Sequence, residues 1–470
     1  MENYIDIIKL IYDYIALFFI IYLVGYSTFM FLSVIVGSTT LYQNRRQNVL
    51  RNELDNAQYI PISILVPAHN EEVTIVSTVQ SLLALDYGLY EIIVIDDGST
   101  DLTSEVLIEK FSMKKIKKPI RIQIECQPEV FVYETHMYKV PITLIKKVNG
   151  GKADALNMGI NSSNYPYFIC IDADSILQYD SLEKIVKPIL MSDKVIAVGS
   201  AVRPSNGAIL VDGHVVDFKL PKNMLACMQV LEYDRSFLAA RIFFDKFNGS
   251  MIISGAFGLF KKDVVIAAGG YDDRTLGEDM ELVVKLHVYC RKHNIDYQVR
   301  YATDAICWSQ VPEKMKDLMQ QRRRWQIGLL QSLMTHKTMF FNPGYGLLSF
   351  VSYLYFLIYE LLSPYIEVFG VISIFLAGVV GILNTRFMIL FLLVYALYAA
   401  ILSLTAFFSR VQTINLKIGF RDACKAILLS VVEVSFLRFI ISWVRMTAIN
   451  RYRKVKRTWG RIERKKIDYN

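Results

Sequence analysis

Ile62-Ser63-Ile64-Leu65-Val66-Pro67-Ala68-His69-Asn70-Glu71-Glu72 is an apolar run that stops at a polar turn, and beyond it apolar residues recur at helical spacing to about Leu85. The pattern repeats: Ile92 to Ile95 ends in Asp96-Asp97-Gly98-Ser99-Thr100-Asp101, and a second helical stretch begins near Thr100. Strand, polar turn and helix, twice over, predict a parallel α/β sheet. Ligands of such sheets sit at the carboxyl ends of the strands, where both polar turns fall.

The surrounding composition is of two kinds. With 470 residues, 53% hydrophobic and 20% charged, the chain is too apolar for an ordinary soluble protein and too charged for a wholly intramembrane one. Tyr14 to Val36 carries no charge, and a helix of that length rises roughly 30 Å, enough to cross a bilayer core. Glu2, Asp6 and Asp13 precede it without a small-x-small cleavage pattern, so it reads as an uncleaved anchor. From about Arg45 to Arg324 the sequence is globular in character. From Leu347 to Phe408 it is again apolar, broken at Ser363-Pro364 and Asn384-Thr385-Arg386.

The expected organisation is an anchor over residues 1–44, a globular α/β domain over 45–310, an interfacial helix over 311–343, transmembrane and interfacial helices over 344–450, and a basic tail over 451–470. Arg45, Arg46 and Arg51 after the first span, and nine basic residues from Arg451 to Lys466, place both flanks in the cytoplasm and the N-terminus outside. Arg410, Lys417, Arg421 and Lys425 also read as cytoplasmic. The piece from about Leu347 to Leu362 is therefore expected at the interface, and the last apolar segment, with Glu433, Arg438 and Arg445, is expected to line a polar path. The net charge of +8 gathers beside the membrane, which points to anionic headgroups and not to nucleic acid. Six cysteines without paired spacing or partnering histidines suggest neither a disulfide framework nor a zinc site.

Five further motifs carry chemistry. Gly150-Gly151-Lys152-Ala153-Asp154 opens a helix whose free N–H groups, with Lys152, suit an anionic diphosphate; the spacing is not that of a Walker loop. Phe168 to Ile171 reads as a buried strand ending in Asp172-x-Asp174, hard ligands for Mg²⁺ or Mn²⁺. If the backbone stays extended, both carboxylates share one face. Ile253-Ser254-Gly255-Ala256 is small enough to let a sugar approach the backbone, and Thr275-Leu276-Gly277-Glu278-Asp279 starts a helix. Finally, Gln321-Arg322-Arg323-Arg324-Trp325 lies on an amphipathic helix from about Glu313, after Trp308-Ser309-Gln310-Val311-Pro312.

Asp97, Asp172/Asp174, Asp279 and Gln-x-x-Arg-Trp, in that order, resemble the signature of processive family-2 glycosyltransferases, the group holding cellulose, chitin, hyaluronan and poly-N-acetylglucosamine synthases. The resemblance implies a GT-A catalytic domain inserted between transmembrane helices of the plasma membrane. It implies an inverting enzyme that builds a β-linked polysaccharide from UDP-N-acetylglucosamine or UDP-glucose and couples synthesis to export.

By that resemblance Asp97 meets the uridine, and the Pro67 to Glu71 turn, with Asn70, lines the base pocket. Lys152 and Asp154 touch the donor, Asp172 and Asp174 hold the metal, and Ser254 and Gly255 accommodate the sugar. Asp279 is the general base, with Glu278 supporting its loop; Gly277 stands where the family carries threonine. Gln321, Arg324 and Trp325 hold the acceptor sugar and the diphosphate, and the Trp308 to Pro312 stretch is a gate. The implied partners are the UDP-sugar, the growing polysaccharide, membrane lipids and a small accessory membrane subunit, with Mg²⁺ or Mn²⁺ as cofactor. The alternative is one-step transfer of a sugar to a polyprenyl phosphate or glycolipid, whose enzymes usually lack Gln-x-x-Arg-Trp.

Overall fold

The structure, a computed structural model, describes residues 2–51, 59–211, 213–413 and 419–450. The basic tail 451–470 and the side chains of Arg45, Arg46 and Arg51 lie outside what it describes. Both opening apolar runs are strands, β1 (Ile62–Ala68) and β2 (Tyr90–Asp96), and every residue in each is buried. Strands covered on both faces need such unbroken apolar runs. The helices after them cover Ile75–Leu83 and Thr103–Lys110.

The remaining strands are β3 (Lys114–Ile116), β4 (Glu129–Thr135), β5 (Ile142–Lys147), β6 (Tyr167–Cys170), β7 (Ser175–Leu177), β8 (Val195–Pro204), β9 (Ala208–Val211), β10 (His214–Phe218), β11 (Gly258–Lys261) and β12 (Gln298–Ser309). Ten of the twelve form one sheet in the order β3-β4-β5-β2-β1-β6-β11-β8-β12-β7, while β9 and β10 pair as a separate hairpin. The centre, β5-β2-β1-β6, is parallel. On one side the stretch from Pro119 to Leu144 supplies β4 and so extends the sheet by antiparallel pairing of β3, β4 and β5. On the other side β11 runs antiparallel to β6 and β8, and β12 runs parallel to β8.

Four helices are long and apolar enough to cross a membrane: Asp6–Asn44, Ser363–Val380, Met388–Val411 and Phe420–Ile449. Leu348–Leu361 is apolar but shorter. Several ends of these helices return to the sheet. Asn44 Nδ2 donates to Thr303 Oγ1 at 3.0 Å and Arg410 Nη1 to Thr303 O at 2.8 Å. The start of the Phe420–Ile449 helix accepts the Leu220 amide on Asp422 Oδ2 at 3.1 Å, and Lys425 Nζ reaches Pro221 O at 2.5 Å. Near its far end Arg445 Nε donates to Gln326 Oε1 at 2.7 Å, on the Met315–Thr335 helix. This last apolar helix therefore touches the catalytic unit at both ends.

Candidate active site

The turns after β1 and β2 are tied to each other. Asn70 Oδ1 accepts the Thr100 amide at 2.8 Å, the Asn70 amide donates to Ser99 Oγ at 3.0 Å, and Asp101, not Asp97, accepts the Thr103 amide at the next helix start. Gly98 sits at φ +68°, a region closed to most side chains, and a Cβ there would lie 3.0 Å from the Asn149 nitrogen.

Asp97 differs from expectation. It is fully buried; Oδ1 accepts from Lys147 Nζ at 2.6 Å and from the Gly150 amide at 3.0 Å, and Oδ2 from the Gly151 amide at 2.7 Å. Asp154 is likewise turned inward, 2.5 Å from Lys147 Nζ, with Oδ2 accepting the Gln127 amide at 2.9 Å. These two carboxylates hold the Gly150-Gly151 loop in place and do not face open space. The residue that sequence reading missed is Lys147. Alternation along β5 sends Lys146 out to Glu105 and Lys147 into the core between two acids, and a buried lysine is tolerated only with such partners.

One cavity of about 370 Å³ collects the other motifs, a volume within the range of small-ligand sites. Lys152, Asp172, Ser254, Gly255, Glu278, Asp279, Gln321, Arg324 and Trp325 border it. Pro67, Asn70, Glu71, Asp97, Asp154 and Asp174 do not.

The Asp-x-Asp pair is split. The Ser175 amide donates to Asp172 O at 3.0 Å, so the chain turns after β6 and does not stay extended. The alternation that would put both acids on one face is lost: Asp172 lines the cavity, while Asp174 is buried away from it.

Within the cavity Lys152 Nζ lies 2.5 Å from Asp172 Oδ1 and 3.6 Å from Glu278 Oε1. Burial opposes its charge, but Asp172 and Glu278 outweigh burial and raise its pKa. Asp279 occupies the first turn of the Glu278–Lys292 helix, with Oδ1 accepting the Met280 amide at 2.8 Å and Oδ2 the Gly255 amide at 3.4 Å. Burial first, and then the neighbouring Glu278, push its pKa above the ordinary carboxylate value. A Cβ at Gly255 would lie 3.2 Å from Lys152 Nζ, so glycine keeps this floor open.

Among the described residues no group of three or more His, Cys, Asp or Glu side chains is placed to hold a metal alone. The Lys152 ammonium is the cation that Asp172 and Glu278 now share. A hard divalent ion held by one or two carboxylates, with phosphate oxygens and water completing its shell, fits this donor set.

Trp325 meets Phe237 edge-on with ring centroids 5.9 Å apart, and the Arg322 guanidinium lies 4.6 Å from its ring. Arg322 itself is locked bidentately on Glu232 at 2.8 and 2.7 Å, fixing the indole, whereas Arg324 is free to face the cavity. Gln321 Oε1 borders the cavity, buried and without a hydrogen-bond partner. Gly277 finds its reason here: a Cβ on it would lie 2.9 Å from Gly328 Cα, and one on Gly328 would lie 2.7 Å from Gly277 Cα. The helix bearing Asp279 and the helix bearing Trp325 thus meet backbone to backbone. Trp308 is fully buried on β12, while Ser309 and Gln310 just beyond it line the cavity.

The cavity continues between the apolar helices, past Tyr26, Tyr355, Tyr359, Glu360, Glu367, Glu433, Arg438 and Arg445. Its charges there are paired: Arg235 holds Glu433 at 2.7 and 2.9 Å, and Arg438 holds Glu367 at 3.0 and 2.7 Å.

The mixed α/β sheet core is like that of GT-A glycosyltransferases, and apolar helices flank it at the N-terminus and in the C-terminal region. The Pyrobaculum calidifontis mannosyltransferase PcManGT, solved in complex with GDP-Man and Mn²⁺, superposes with a TM-score of 0.53 over 86% of this chain and 99% of its own, at 18% identity, a likeness of fold alone. Residues 63–124 match the model described as glycosyl transferase family 2, and residues 167–408, more than half of the chain, match glycosyl transferase family group 2. The chain belongs to glycosyltransferase family 2. It is similar to the poly-β-1,6-N-acetyl-D-glucosamine synthases of Staphylococcus epidermidis, 30% identical over 311 residues, and Staphylococcus aureus, 29% identical over 316. Each match spans 65% of this chain and 64% of the relative's length.

Proposed function

We propose that this chain is a membrane-embedded, inverting synthase that polymerises a β-linked polysaccharide from a UDP-sugar, with UDP-N-acetylglucosamine as donor. The observation that carries the reading is that Lys152, Asp172, Asp279 and Trp325 border one cavity, and that this cavity runs on between apolar helices. The similarity to the staphylococcal synthases favours N-acetylglucosamine over glucose.

The donor diphosphate sits against Lys152 and Arg324, whose cationic heads suit phosphate oxygens. Asp172, with Glu278 nearby, would hold Mg²⁺ or Mn²⁺, which when bound neutralises charge on the departing nucleoside diphosphate. The acceptor sugar stacks its C–H face on the Trp325 indole, and the unpartnered Gln321 Oε1 takes a hydroxyl hydrogen bond. Asp279 accepts the proton of the attacking hydroxyl as the new O–C1 bond forms and the C1–O bond to UDP breaks on the opposite side. A carboxylate whose pKa is raised is a better base for that step. Asp97, Asp154 and Lys147 shape the loop that presents Lys152.

The contacts that the helix ends make with the globular part support the following membrane arrangement. Asp6–Asn44 enters from outside, Ser363–Val380 and Met388–Val411 make a hairpin across the bilayer, and Phe420–Ile449 lies along the cytoplasmic interface. That returns the basic tail to the cytoplasm, in keeping with its charge. The paired charges and tyrosines beyond Trp325 give the growing chain a polar route.

The test is UDP release by the purified, lipid-reconstituted protein with UDP-N-acetylglucosamine or UDP-glucose and Mg²⁺ or Mn²⁺, beside Asp279→Asn. Turnover of the variant is expected to fall about 10²- to 10⁴-fold with donor binding retained. Undiminished polymer from Asp279→Asn removes Asp279 from the mechanism.

A further inference from the structure

A second group of charges on the wall of this cavity lies apart from the residues assigned above. Arg203, near the end of β8, and Arg410, near the end of the Met388–Val411 helix, are 3% and 1% exposed, and both border the cavity with Asp234. Their bonding is incomplete. Arg203 Nη2 reaches Asp234 Oδ2 only at 3.9 Å, and its Nη1 has no partner. Arg410 spends Nη1 on Thr303 O and leaves Nε and Nη2 without partners. The Trp308 Nε1–H is a further buried donor without an acceptor, and the Arg203 guanidinium lies over that indole at 5.0 Å and over Phe218 at 5.4 Å.

Other groups face the cluster. Arg241 borders the same cavity and lies 5.3 Å from the Phe237 ring, and the half-buried Asp304 acts on Arg410 more weakly than Asp234 does. Arg203 and Arg410 thus share one carboxylate that acts on both, Asp234. Burial, opposed by Asp234 and reinforced by Arg410, lowers the Arg203 pKa to about 10, and burial raises that of Asp234. The neighbouring Arg235 is different: Glu433 and Ser403 accept from it at 2.5 to 2.9 Å. Buried charged donors are normally matched in this second way.

We propose that Arg203 and Arg410 form a binding site for a phosphate-bearing anion, bridging the catalytic sheet to the inner end of a membrane helix. Guanidinium forks match phosphate oxygens bidentately, and a dianion would meet the surplus positive charge together with the three unpartnered guanidinium N–H groups. Occupancy would brace Arg410 and its helix against β8 and β12, beside the Ser309-Gln310 wall. Two sources present this chemistry: a soluble phosphate or diphosphate entering through the cavity, and the phosphate of an anionic lipid at the level of the helix end.

The experiment is thermal unfolding of the full-length protein in detergent, with saturating UDP in every sample so that the donor site is filled. Inorganic phosphate and pyrophosphate form one arm, with chloride at matched ionic strength as control; phosphatidic acid against phosphatidylcholine in mixed micelles forms the other. A concentration-dependent rise in the unfolding midpoint in either arm supports the site and names its source. Arg203→Gln is expected to weaken the effect at least tenfold, Arg203→Lys to keep part of it, and Asp234→Asn, which removes the competing carboxylate, to strengthen it. Should Arg203→Gln fail to fold, Asp234→Asn still decides the matter through its opposite sign. No midpoint rise in either arm, or equal responses from wild type, Arg203→Gln and Asp234→Asn, overturns the proposal and leaves buried water as the partner of these donors.

Discussion

The two ends of the cavity treat charge in opposite ways. At the donor end Lys152 touches Asp172 at 2.5 Å and Glu278 only at 3.6 Å, Asp279 is crowded by a second carboxylate, and Arg324 faces open space. At the membrane end Arg235 and Glu433, and Arg438 and Glu367, are joined by two hydrogen bonds each. The first arrangement is poised to accept a polyanion and a cation and to move a proton. The second presents polar atoms to the cavity without a net charge, as the proposed route for a neutral sugar chain requires. Variants at the two ends should therefore separate turnover from stability.

The largest effect is expected where a buried pair is broken. Arg235→Met strands Glu433 and should cost about 3 to 5 kcal/mol of stability, read as a lower midpoint in thermal unfolding, with kcat of the surviving folded protein little changed. A fall in kcat at unchanged stability would erase the distinction between the ends. Lys152→Ala should do the reverse: about 10² to 10³ lost in kcat/KM, as for a single donor facing developing charge, with little change in the unfolding midpoint.

Gly328→Ala tests the backbone contact that joins the two ends. Its methyl would run into Gly277, so overpacking of about 1 to 3 kcal/mol is expected in stability. KM for short oligosaccharide acceptors should rise as the Trp325 and Asp279 helices are pushed apart; unchanged stability and kinetics would mean that the approach is not needed.

The smallest effect is in pH dependence. As the proposed base, Asp279 must be deprotonated, so activity is expected to fall as pH drops through its raised pKa. Glu278→Gln removes the like charge and should move that acidic limb to lower pH. The stability contribution has the opposite sign: the folded state holds the Asp279 proton more tightly than the unfolded chain, so stability from this group grows as pH falls through the raised value and is lost as pH rises. A limb in Glu278→Gln that stays where the wild type has it would separate Glu278 from Asp279.

Much of the fold was legible because β1 and β2 are unbroken apolar runs closed by polar turns, a local pattern that needs no tertiary knowledge. The site was legible where one motif sits on one element, as with Asp279 in a first helical turn or Trp325 on its helix. It was not legible where the backbone changed direction or a partner came from afar. Asp174 was misplaced because the turn closed by the Ser175 amide on Asp172 O leaves no mark in an Asp-x-Asp pattern. Asp97 lies away from the cavity because Lys147, 50 residues along the chain, takes its carboxylate into the core. The reason for Gly277, where the family carries threonine, lies in Gly328, which meets it from another helix, and the surplus of Arg203 and Arg410 exists only once a strand and a membrane helix meet.

The most direct test of the central claim is product length, measured on the purified wild type and Trp325→Ala supplied with UDP-N-acetylglucosamine. If donor chemistry and the acceptor path share one cavity, the wild type makes long polymer, and Trp325→Ala still releases UDP but yields short products. Single-sugar adducts on lipid from the wild type, or full-length polymer from Trp325→Ala, would contradict the account.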